Sequence, residues 1–478
     1  WTDVSKNIKG LPEGSWITQI KASHKNKGEA LLIANDYRRF NYNPYAYRTK
    51  NYGKTWERIV DENDVKSYTL CIVEDPVESN LLFLGTDDGL YVSIDAGGKW
   101  TKWTNGFPTT SVKDLVIHPR EQDLVIGTFG RAAWVLDDIR PLRALAKNKS
   151  LMNENIKLFE PSTSYLASYQ QPTGSRFGAD ALYNGENRKR GAILKFMFNK
   201  KADEMEDEVE DEDEILNQVQ DDSKTKWDSL TLKIYDADRL IRTLKKKIPK
   251  ENGLHQWVWG LKKAGVDYPS RKISKSKVEP GGINVMPGVY KAVLHYGNLT
   301  SETQIDVKWD PRWEAPLRII ANVHSYYKDL EQLQQTAADA VKQLVESKTT
   351  AKEFKTRLEK LDKKAYESQI KASDTIIKSI NQLIDGYLGK EDKRQGITRN
   401  PEVTPMQRLS IAKRYVSESV MYGISKTETQ LIKQAKTALK SEFDKTNTFF
   451  SEDWAKYQIE ISNLKIDVFT DTKAFKID

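Results

Sequence analysis

The sequence predicts a multidomain chain with three parts: the C-terminal blades of a β-propeller, an Ig-like β-sandwich module and a C-terminal α-helical bundle. Three observations predict this order. A hairpin motif repeats near the N-terminus, short alternating strands fill the middle, and a helical period begins near Asn322. With 478 residues the chain is long enough for about three domains. We expect the three parts to span residues 1–145, 146–315 and 316–478.

The hairpin motif has the form Ser-x-Asp-x-Gly-x-x-Trp and occurs twice. In the first copy Thr replaces Ser and Asn replaces Asp. Its physical basis is a tight turn, in which the Asx side chain caps amides, the glycine is left-handed and the tryptophan packs beneath. The two tryptophans lie 44 positions apart, within the blade spacing of about 40–50 residues. We assign structural roles to the motif residues Thr49, Asn51, Gly53, Trp56, Ser93, Asp95, Gly97 and Trp100.

The first residues of the chain align with the end of a later repeat, Trp1–Pro12 with Trp100–Pro108. Trp1 is therefore expected to close an earlier motif, and earlier blades are expected in sequence outside this chain. About three blades would leave open strand edges, and propellers typically close with four or more blades. The last repeat ends at Asp138 without a further motif, so we expect its outer strand to come from elsewhere in the ring. The alternative is a self-contained domain of three repeats.

The middle of the chain predicts an Ig-like sandwich. Several short runs either alternate apolar with polar residues or are apolar throughout, and turn residues separate them. Examples are residues 191–198, 230–236 and 287–296. Residues 203–222 form an acidic segment, which we expect to be a solvated loop because like charges repel one another. Calcium binding is the alternative, but the spacing of an EF-hand loop is missing.

Apolar stripes of helical period continue to the C-terminal region and predict an up-and-down bundle. Thr404-Pro405 predicts a helix N-cap with proline at the first helical position. Thr427 to Gln430 fits a capping box before another helix. Gly386 and Gly389 predict a loop between helices.

Composition excludes several classes of protein. Hydrophobic residues make up 38% of the chain and charged residues 30%, and no apolar run is long enough to span a membrane. The net charge of +7 comes from 75 basic and 68 acidic residues mixed along the chain, so we expect no nucleic-acid partner. Cys71, the single cysteine, lies in an apolar run and is expected to be a core residue.

The sequence predicts no catalytic constellation, no metal site and no cofactor. The five histidines are scattered without metal-ligand spacing, and phosphate-loop and nucleophile-elbow motifs are missing. Polar residues near the ends of blade strands could line a propeller channel, although each is also explained as a turn or surface residue. These candidate binding residues are Asp36, Asp87, Asp88 and Arg131.

The segment 127–142, Gly-Thr-Phe-Gly-Arg-Ala-Ala-Trp-Val-Leu-Asp-Asp-Ile-Arg-Pro-Leu, closely resembles the last propeller segment of the sortilin-like BNR/Asp-box proteins of bacteria. Segments 158–161, 253–259 and 310–312 extend the resemblance into the Ig-like module of that family. The acidic insertion and Asn51 in place of the motif aspartate depart from the family pattern. The resemblance implies a large exported protein, often from Bacteroidetes-like bacteria, and a glycosyl hydrolase label that these residues do not support.

We therefore expect an exported, outer-membrane or cell-surface protein in which the propeller binds a protein or a glycan and acts as a scaffold. It could be a subunit of an outer-membrane complex, docked through its helical bundle. The alternative is a glycoside hydrolase, whose two catalytic carboxylates would lie largely on blades outside this chain. We expect a signal or anchor upstream of Trp1.

Overall fold

A computed structural model describes residues 2–167, 188–200, 229–273, 278–314, 316–391 and 403–464. Trp1 and the predicted acidic loop at 203–222 lie outside the described residues. The described chain consists of β-sheets followed by a helical region, which agrees with partial propeller blades and a C-terminal set of helices.

The N-terminal part contains two four-stranded antiparallel meanders that correspond to the two complete repeats. The first has strands β1 (Trp16–Ala22), β2 (Ala30–Asp36), β3 (Asn41–Thr49) and β4 (Glu57–Arg58). The second has β5 (Thr69–Glu74), β6 (Leu82–Thr86), β7 (Gly89–Ser93) and β8 (Thr101–Lys102). Each sheet follows chain order, as a propeller blade does.

A third sheet has three strands, β9 (Val112–Ile117), β10 (Leu124–Thr128) and β11 (Ala133–Leu136). Within the described ranges no fourth strand pairs with β11, so this strand is an open edge. The result matches the sequence, because the third repeat has no hairpin motif after its third strand.

Adjacent blades pack face to face through buried side chains. Leu31 and Ile33 of β2 share a core with Ile72 of β5 and Leu82 and Leu84 of β6. A second core joins the second and third blades and includes Cys71, whose thiol pKa burial raises to about 12. The alternation of strand side chains thus supplies one apolar face to each neighbouring blade.

The middle region forms two sheets that share one hydrophobic core. One sheet has the order β12 (Ile156–Leu158), β14 (Ala192–Phe198), β17 (Gly253–Trp259). The other has the order β13 (Ser164–Leu166), β21 (Leu299–Trp309), β20 (Gly288–Tyr296), β15 (Ser229–Asp236), β16 (Arg239–Lys247). A separate hairpin consists of β18 (Lys262–Ala264) and β19 (Gly281–Asn284).

A short helix, α1 (Arg140–Lys147), connects the blades to the middle region. Its Arg143 places Nε 2.8 Å from both carboxylate oxygens of Asp75, whose side chain is fully buried in the second blade. On the other side, the ammonium group of Lys195 in β14 donates to the carbonyl oxygens of Asp137 and Asp138. The blades, α1 and the middle region are therefore joined by partly buried polar contacts.

The C-terminal region is helical and has its own apolar core. Its helices are α2 (Leu317–Asp362), α3 (Glu367–Leu388), α4 (Pro405–Glu418), α5 (Lys426–Phe449) and α6 (Ala455–Ser462). A π-helical turn at Phe450–Trp454 joins α5 to α6 without a break. None of the described helices combines the length and apolarity that crossing a bilayer requires.

Candidate functional site

The four predicted binding residues all lie in one class of turn. Asp36 ends β2, Asp87 and Asp88 connect β6 to β7, and Arg131 lies between β10 and β11. These are the turns between the second and third strands of the three blades. Because the blade sheets follow chain order, the three turns lie at the same end of their blades. We call this end the turn rim, formed by residues 36–41, 86–89 and 128–133 and the strand starts beside them.

The hairpin motifs lie at the opposite ends of the blades, between the third and fourth strands. In the second motif Ser93 Oγ accepts from the Gly97 amide at 2.9 Å, and Asp95 Oδ1 accepts from the Lys99 amide at 2.9 Å. In the first motif the Thr49 hydroxyl accepts from the Gly53 amide at 2.9 Å, and Asn51 accepts from the Thr55 amide at 2.9 Å. Asparagine therefore performs the same amide capping as aspartate.

The glycine of each motif packs against the segment that precedes its own repeat. The Trp100 indole N–H donates to the Ile59 carbonyl at 2.7 Å, and a Cβ on Gly97 would lie 2.9 Å from the Ile59 Cβ. A Cβ on Gly53, beside Trp56, would lie 3.2 Å from a methyl of Val4. Val4 and Ile59 thus occupy the same place in consecutive repeats.

Two of the predicted binding residues, Asp36 and Asp88, bond to other side chains of their own blades. Asp36 forms a 2.7 Å ion pair with Arg39, and its side chain is 9% exposed. Asp88 accepts from the Thr86 hydroxyl at 2.7 Å and from Lys102 at 2.9 Å. These contacts give Asp36 and Asp88 structural partners.

Asp87 belongs to an aromatic cluster that sequence patterns did not predict. Its carboxylate bonds the hydroxyl of Tyr68, and burial together with this contact raises the Tyr68 pKa. The ring of Tyr68 stacks on Tyr37 with centroids 4.6 Å apart and planes 17° apart, and lies 6.1 Å from Tyr42. The first two blades are thereby joined by rings at the turn rim.

The cluster continues across the first blade to the start of β1. The Arg38 guanidinium lies over the Trp16 ring at 4.0 Å and over the Tyr37 ring at 5.6 Å. Trp16 and Tyr42 are each 54% exposed, whereas Tyr68 is 9% exposed. We call this set the aromatic strip; its members are Trp16, Tyr37, Arg38, Tyr42 and Tyr68.

Two exposed phenylalanines stand at the tips of the rim turns. Phe40 is 85% exposed and has φ 60°, a left-handed conformation that is rare for a bulky residue. Phe129 is 73% exposed, and Lys113 lies 5.6 Å from its ring. Bonds from the Phe129 amide to Ser111 and from the Thr110 hydroxyl to the Phe129 carbonyl fix this turn. Arg131 is exposed in the same turn.

A polar cleft of about 450 Å³ lies at the motif end, between the outer strand of the first blade and the second motif. Two of its acidic groups have structural tasks: Asp64 accepts from the Trp100 amide at 2.9 Å, and Asp95 caps the motif turn. In the described part of the chain no three His, Cys, Asp or Glu side chains form a cluster that could hold a metal ion.

The blade order and the two capped motifs define an Asp-box propeller class for the N-terminal part of the chain. Residues 45–146 match the family model of sortilin, neurotensin receptor 3. The resemblance to sortilin-like Asp-box proteins is therefore confirmed over these residues. No curated protein matches the chain in sequence.

Among solved structures, a GH74 enzyme of Niastella koreensis is 21% identical with a TM-score of 0.23, over 26% of this chain and 21% of the enzyme. An ancestral GH74 enzyme is 16% identical with a TM-score of 0.21, over 25% of this chain and 14% of the enzyme. The match thus spans about a fifth or less of either enzyme. At these TM-scores it carries no argument about the activity of this chain.

Proposed function

We propose that this chain belongs to an exported cell-surface binding or scaffold protein whose blades present the turn rim to a protein or a glycan. The observation that carries the proposal is the aromatic strip. Large rings that are half exposed on a rigid β scaffold provide contact area at little cost in conformational entropy. Loops held by such a scaffold are the usual place for binding residues.

The other two regions suit a scaffold. We propose that the middle region is an Ig-like sandwich and that the helical region docks on a partner, such as a subunit of an outer-membrane complex. The shared contacts of Lys195 and Arg143 support this arrangement, because they fix the sandwich to the blades and would hold the rim in a defined orientation. Docking at an outer membrane follows from the family resemblance alone.

The alternative function, glycoside hydrolysis, has less support. It requires two carboxylates on either side of one glycosidic bond. Asp36 and Asp88 on the rim are already paired with Arg39 and Lys102. A hydrolase would therefore need at least one carboxylate from blades outside this chain, with Asp87 as the candidate on the rim for the other.

Binding of the purified chain to cell envelopes of the source organism tests the proposal. Wild type and the Trp16→Ala and Tyr42→Ala variants are compared with Tyr268→Ala, which removes a 53% exposed ring from the middle region. We expect a loss of at least about tenfold in envelope affinity for both rim variants and none for Tyr268→Ala. Equal binding by all four proteins would refute a role for the rim.

A longer protein that includes sequence upstream of Trp1 distinguishes the enzyme alternative. It is incubated with soluble polysaccharides and assayed for new reducing ends. The binding proposal predicts no release of reducing ends. Sustained release by the wild type that an Asp87→Asn substitution abolishes would support the hydrolase instead.

A further inference from the structure

We propose that the aromatic strip binds a neutral, linear polysaccharide whose pyranose rings lie across Trp16 and Tyr42. The inference rests on the proposed binding role of the rim and specifies the chemical class of the ligand. Four properties of the strip lead to it: exposed rings, hydrogen-bonding groups near them, a single cation, and the lack of a groove between the stacked rings.

The strip has a buried middle and open ends. Tyr68 is 9% exposed beneath Tyr37, so the stacked pair forms a support rather than the contact surface. Trp16 and Tyr42 are each 54% exposed. A pyranose ring has an apolar C–H face of similar size to these rings, so burying that face against an aromatic ring removes apolar area from water on both sides.

Polar groups lie next to the exposed rings. The Arg38 guanidinium covers one face of Trp16 at 4.0 Å, so a sugar ring would pack on the opposite face, and stacking by its own face leaves the guanidinium N–H edges directed along the surface. The Asp87 carboxylate, which bonds Tyr68, has acceptor capacity beyond one hydroxyl. Donors and acceptors next to apolar faces match the alternation of C–H faces and hydroxyl edges in a sugar chain.

The strip carries a single cation, Arg38, stacked on Trp16. Beside it Arg39 pairs with Asp36 at 2.7 Å, and Lys102 pairs with Asp88 at 2.9 Å. Polyanions such as nucleic acids or sulfated glycans bind where several cations are uncompensated. The rim of the first two blades therefore favours a ligand without charge.

The shape of the strip argues against a proline-rich peptide. Such peptides dock between rings that form the walls of a groove. Here Tyr37 and Tyr68 stack directly on each other with planes 17° apart, which closes the space between them. The left-handed Phe40, at φ 60°, fixes the neighbouring turn at a conformational cost, and such cost concentrates at functional sites.

Affinity electrophoresis of the full chain tests the proposal. The gels contain barley β-glucan, xyloglucan or galactomannan as neutral probes, and polygalacturonate as an anionic one. We expect retardation by at least one neutral polysaccharide, a dissociation constant at least about tenfold weaker for Trp16→Ala and for Tyr42→Ala, and no change for Tyr268→Ala. Because no ion pairs with the ligand are involved, the retardation should be unchanged between about 0.05 and 0.5 M NaCl.

Circular dichroism of each variant shows whether it folds. If Trp16→Ala does not fold, Tyr42→Ala still tests the proposal. Retardation by polygalacturonate alone, no retardation by any probe, or full retardation of both rim variants would overturn the inference. If cell envelopes bind in a rim-dependent manner that protease treatment of the envelopes abolishes, the ligand is a protein; the polysaccharide inference then fails while the proposed function stands.

Discussion

Arg48 lies buried between two carboxylates where the first and second blades meet. Its guanidinium is 3.2 Å from Glu29 and 3.6 Å from Glu74, and all three side chains are less than a tenth exposed. The same guanidinium donates to the Ala96 carbonyl of the second motif at 3.2 Å. One side chain thus links both blades to a turn.

Replacing Arg48 by Met should destabilise the blades strongly. The substitution leaves Glu29 and Glu74 buried without their cation, and breaking a buried pair in this way costs about 3–5 kcal/mol. Urea denaturation followed by tryptophan fluorescence measures the change. Lys440→Met, which removes an exposed pair with Asp444, should shift the stability of the helices by less than about 1 kcal/mol. Equal effects of the two substitutions would contradict the assigned role of Arg48.

Gly97 and Gly106 offer a matched test of the motif turn, because both have positive φ, 95° and 65°. A Cβ at Gly106 would meet nothing within 4 Å, whereas at Gly97 it would lie 2.9 Å from the Ile59 Cβ. Gly106→Ala should cost about 1–2 kcal/mol for the left-handed backbone alone. Gly97→Ala should cost about 1–3 kcal/mol more because of overpacking. A smaller loss at Gly97 than at Gly106 in thermal melts would contradict this packing.

At the scale of elements, sequence patterns located most strands and helices because each depends on local periodicity. Thr404 caps α4 with Pro405 at the first position, as predicted, and forms a capping box with Gln407. The prediction that Gly386 lies in a loop was wrong. Gly386 is inside α3, where a Cβ would overlap the carboxylate of Glu442 on α5. The glycine therefore allows close helix packing, a tertiary requirement that local patterns do not show.

The predicted capping box at Thr427 was also misplaced. The N-cap of α5 is Ser425, whose hydroxyl accepts from the Thr427 amide at 3.0 Å while Glu428 accepts from the Ser425 amide at 2.8 Å. Both serine and threonine suit an N-cap, and the sequence offers two overlapping boxes. The burial of Glu428 and Ile432, the first residues of the buried face of α5, places the start of the helix at Ser425.

These alternatives can be separated by substitution. Ser425→Ala should cost about 1 kcal/mol, since it removes the N-cap acceptor. Thr427→Ala should change stability by less than about 0.5 kcal/mol, because alanine inside a first turn loses no cap. Circular dichroism at 222 nm during urea titration measures both. A larger loss for Thr427→Ala would restore the box predicted from the sequence.

The aromatic strip could not have been predicted as a unit. Tyr37, Arg38 and Tyr42 are close in sequence, but Trp16 and Tyr68 come from other strands, and the stacking depends on how two blades meet. Sequence reasoning instead chose charged residues at strand ends. Those residues do lie on the rim, although Asp36 and Asp88 serve the turns. The aromatic residues between positions 37 and 42 were the one sequence feature that could have indicated an aromatic binding surface here.

The contact between α2 and the hairpin of β18 and β19 predicts a dependence on pH. Burial and the nearby Lys263 lower the pKa of His324 in α2 to about 4, against about 6.5 in an unfolded chain. Between these values the unfolded chain takes up a proton that the folded chain does not. Stability should therefore fall as the pH drops from 6.5 towards 4.

His324→Gln should remove the part of the stability loss between pH 6.5 and 4 that comes from protonation of His324. Glu331, whose pKa burial raises, and Lys413 and Lys263, whose pKa values burial lowers, contribute to the same region. They are present in both proteins, so the difference between the two stability curves isolates His324. Chemical denaturation at intervals from pH 7.5 to 4.5 provides the curves, and parallel curves would show that His324 is not the source.

At the scale of the whole molecule, the outer faces of the first and third blades carry exposed apolar side chains. Ile20 of β1 is 61% exposed, and Val116, Val125 and Val135 are in register across the third blade, with Val116 and Val135 more than half exposed. The corresponding faces of the second blade are buried in the two inter-blade cores. We propose that further blades of a longer protein cover these outer faces.

Cysteine labelling tests that proposal, because Cys71 is 1% exposed and contributes little background. Ile20→Cys and Val135→Cys should react rapidly with maleimide in this chain. In a protein that includes sequence upstream of Trp1, both should react at least about tenfold more slowly, as local opening would limit the rate. Unchanged rates in the longer protein would contradict the proposal.

The central claim, that the molecule binds its ligand at the turn rim, is tested most directly by hydrogen exchange with mass spectrometry. The full chain is compared with and without the polysaccharide or solubilised envelope fraction that binds it most tightly. We predict slower exchange in residues 37–42 and 67–69, and no change in the motif turns at 49–56 and 93–100 on the opposite ends of the blades. Slower exchange at the motif turns or in the helical region, with the rim unchanged, would contradict the account.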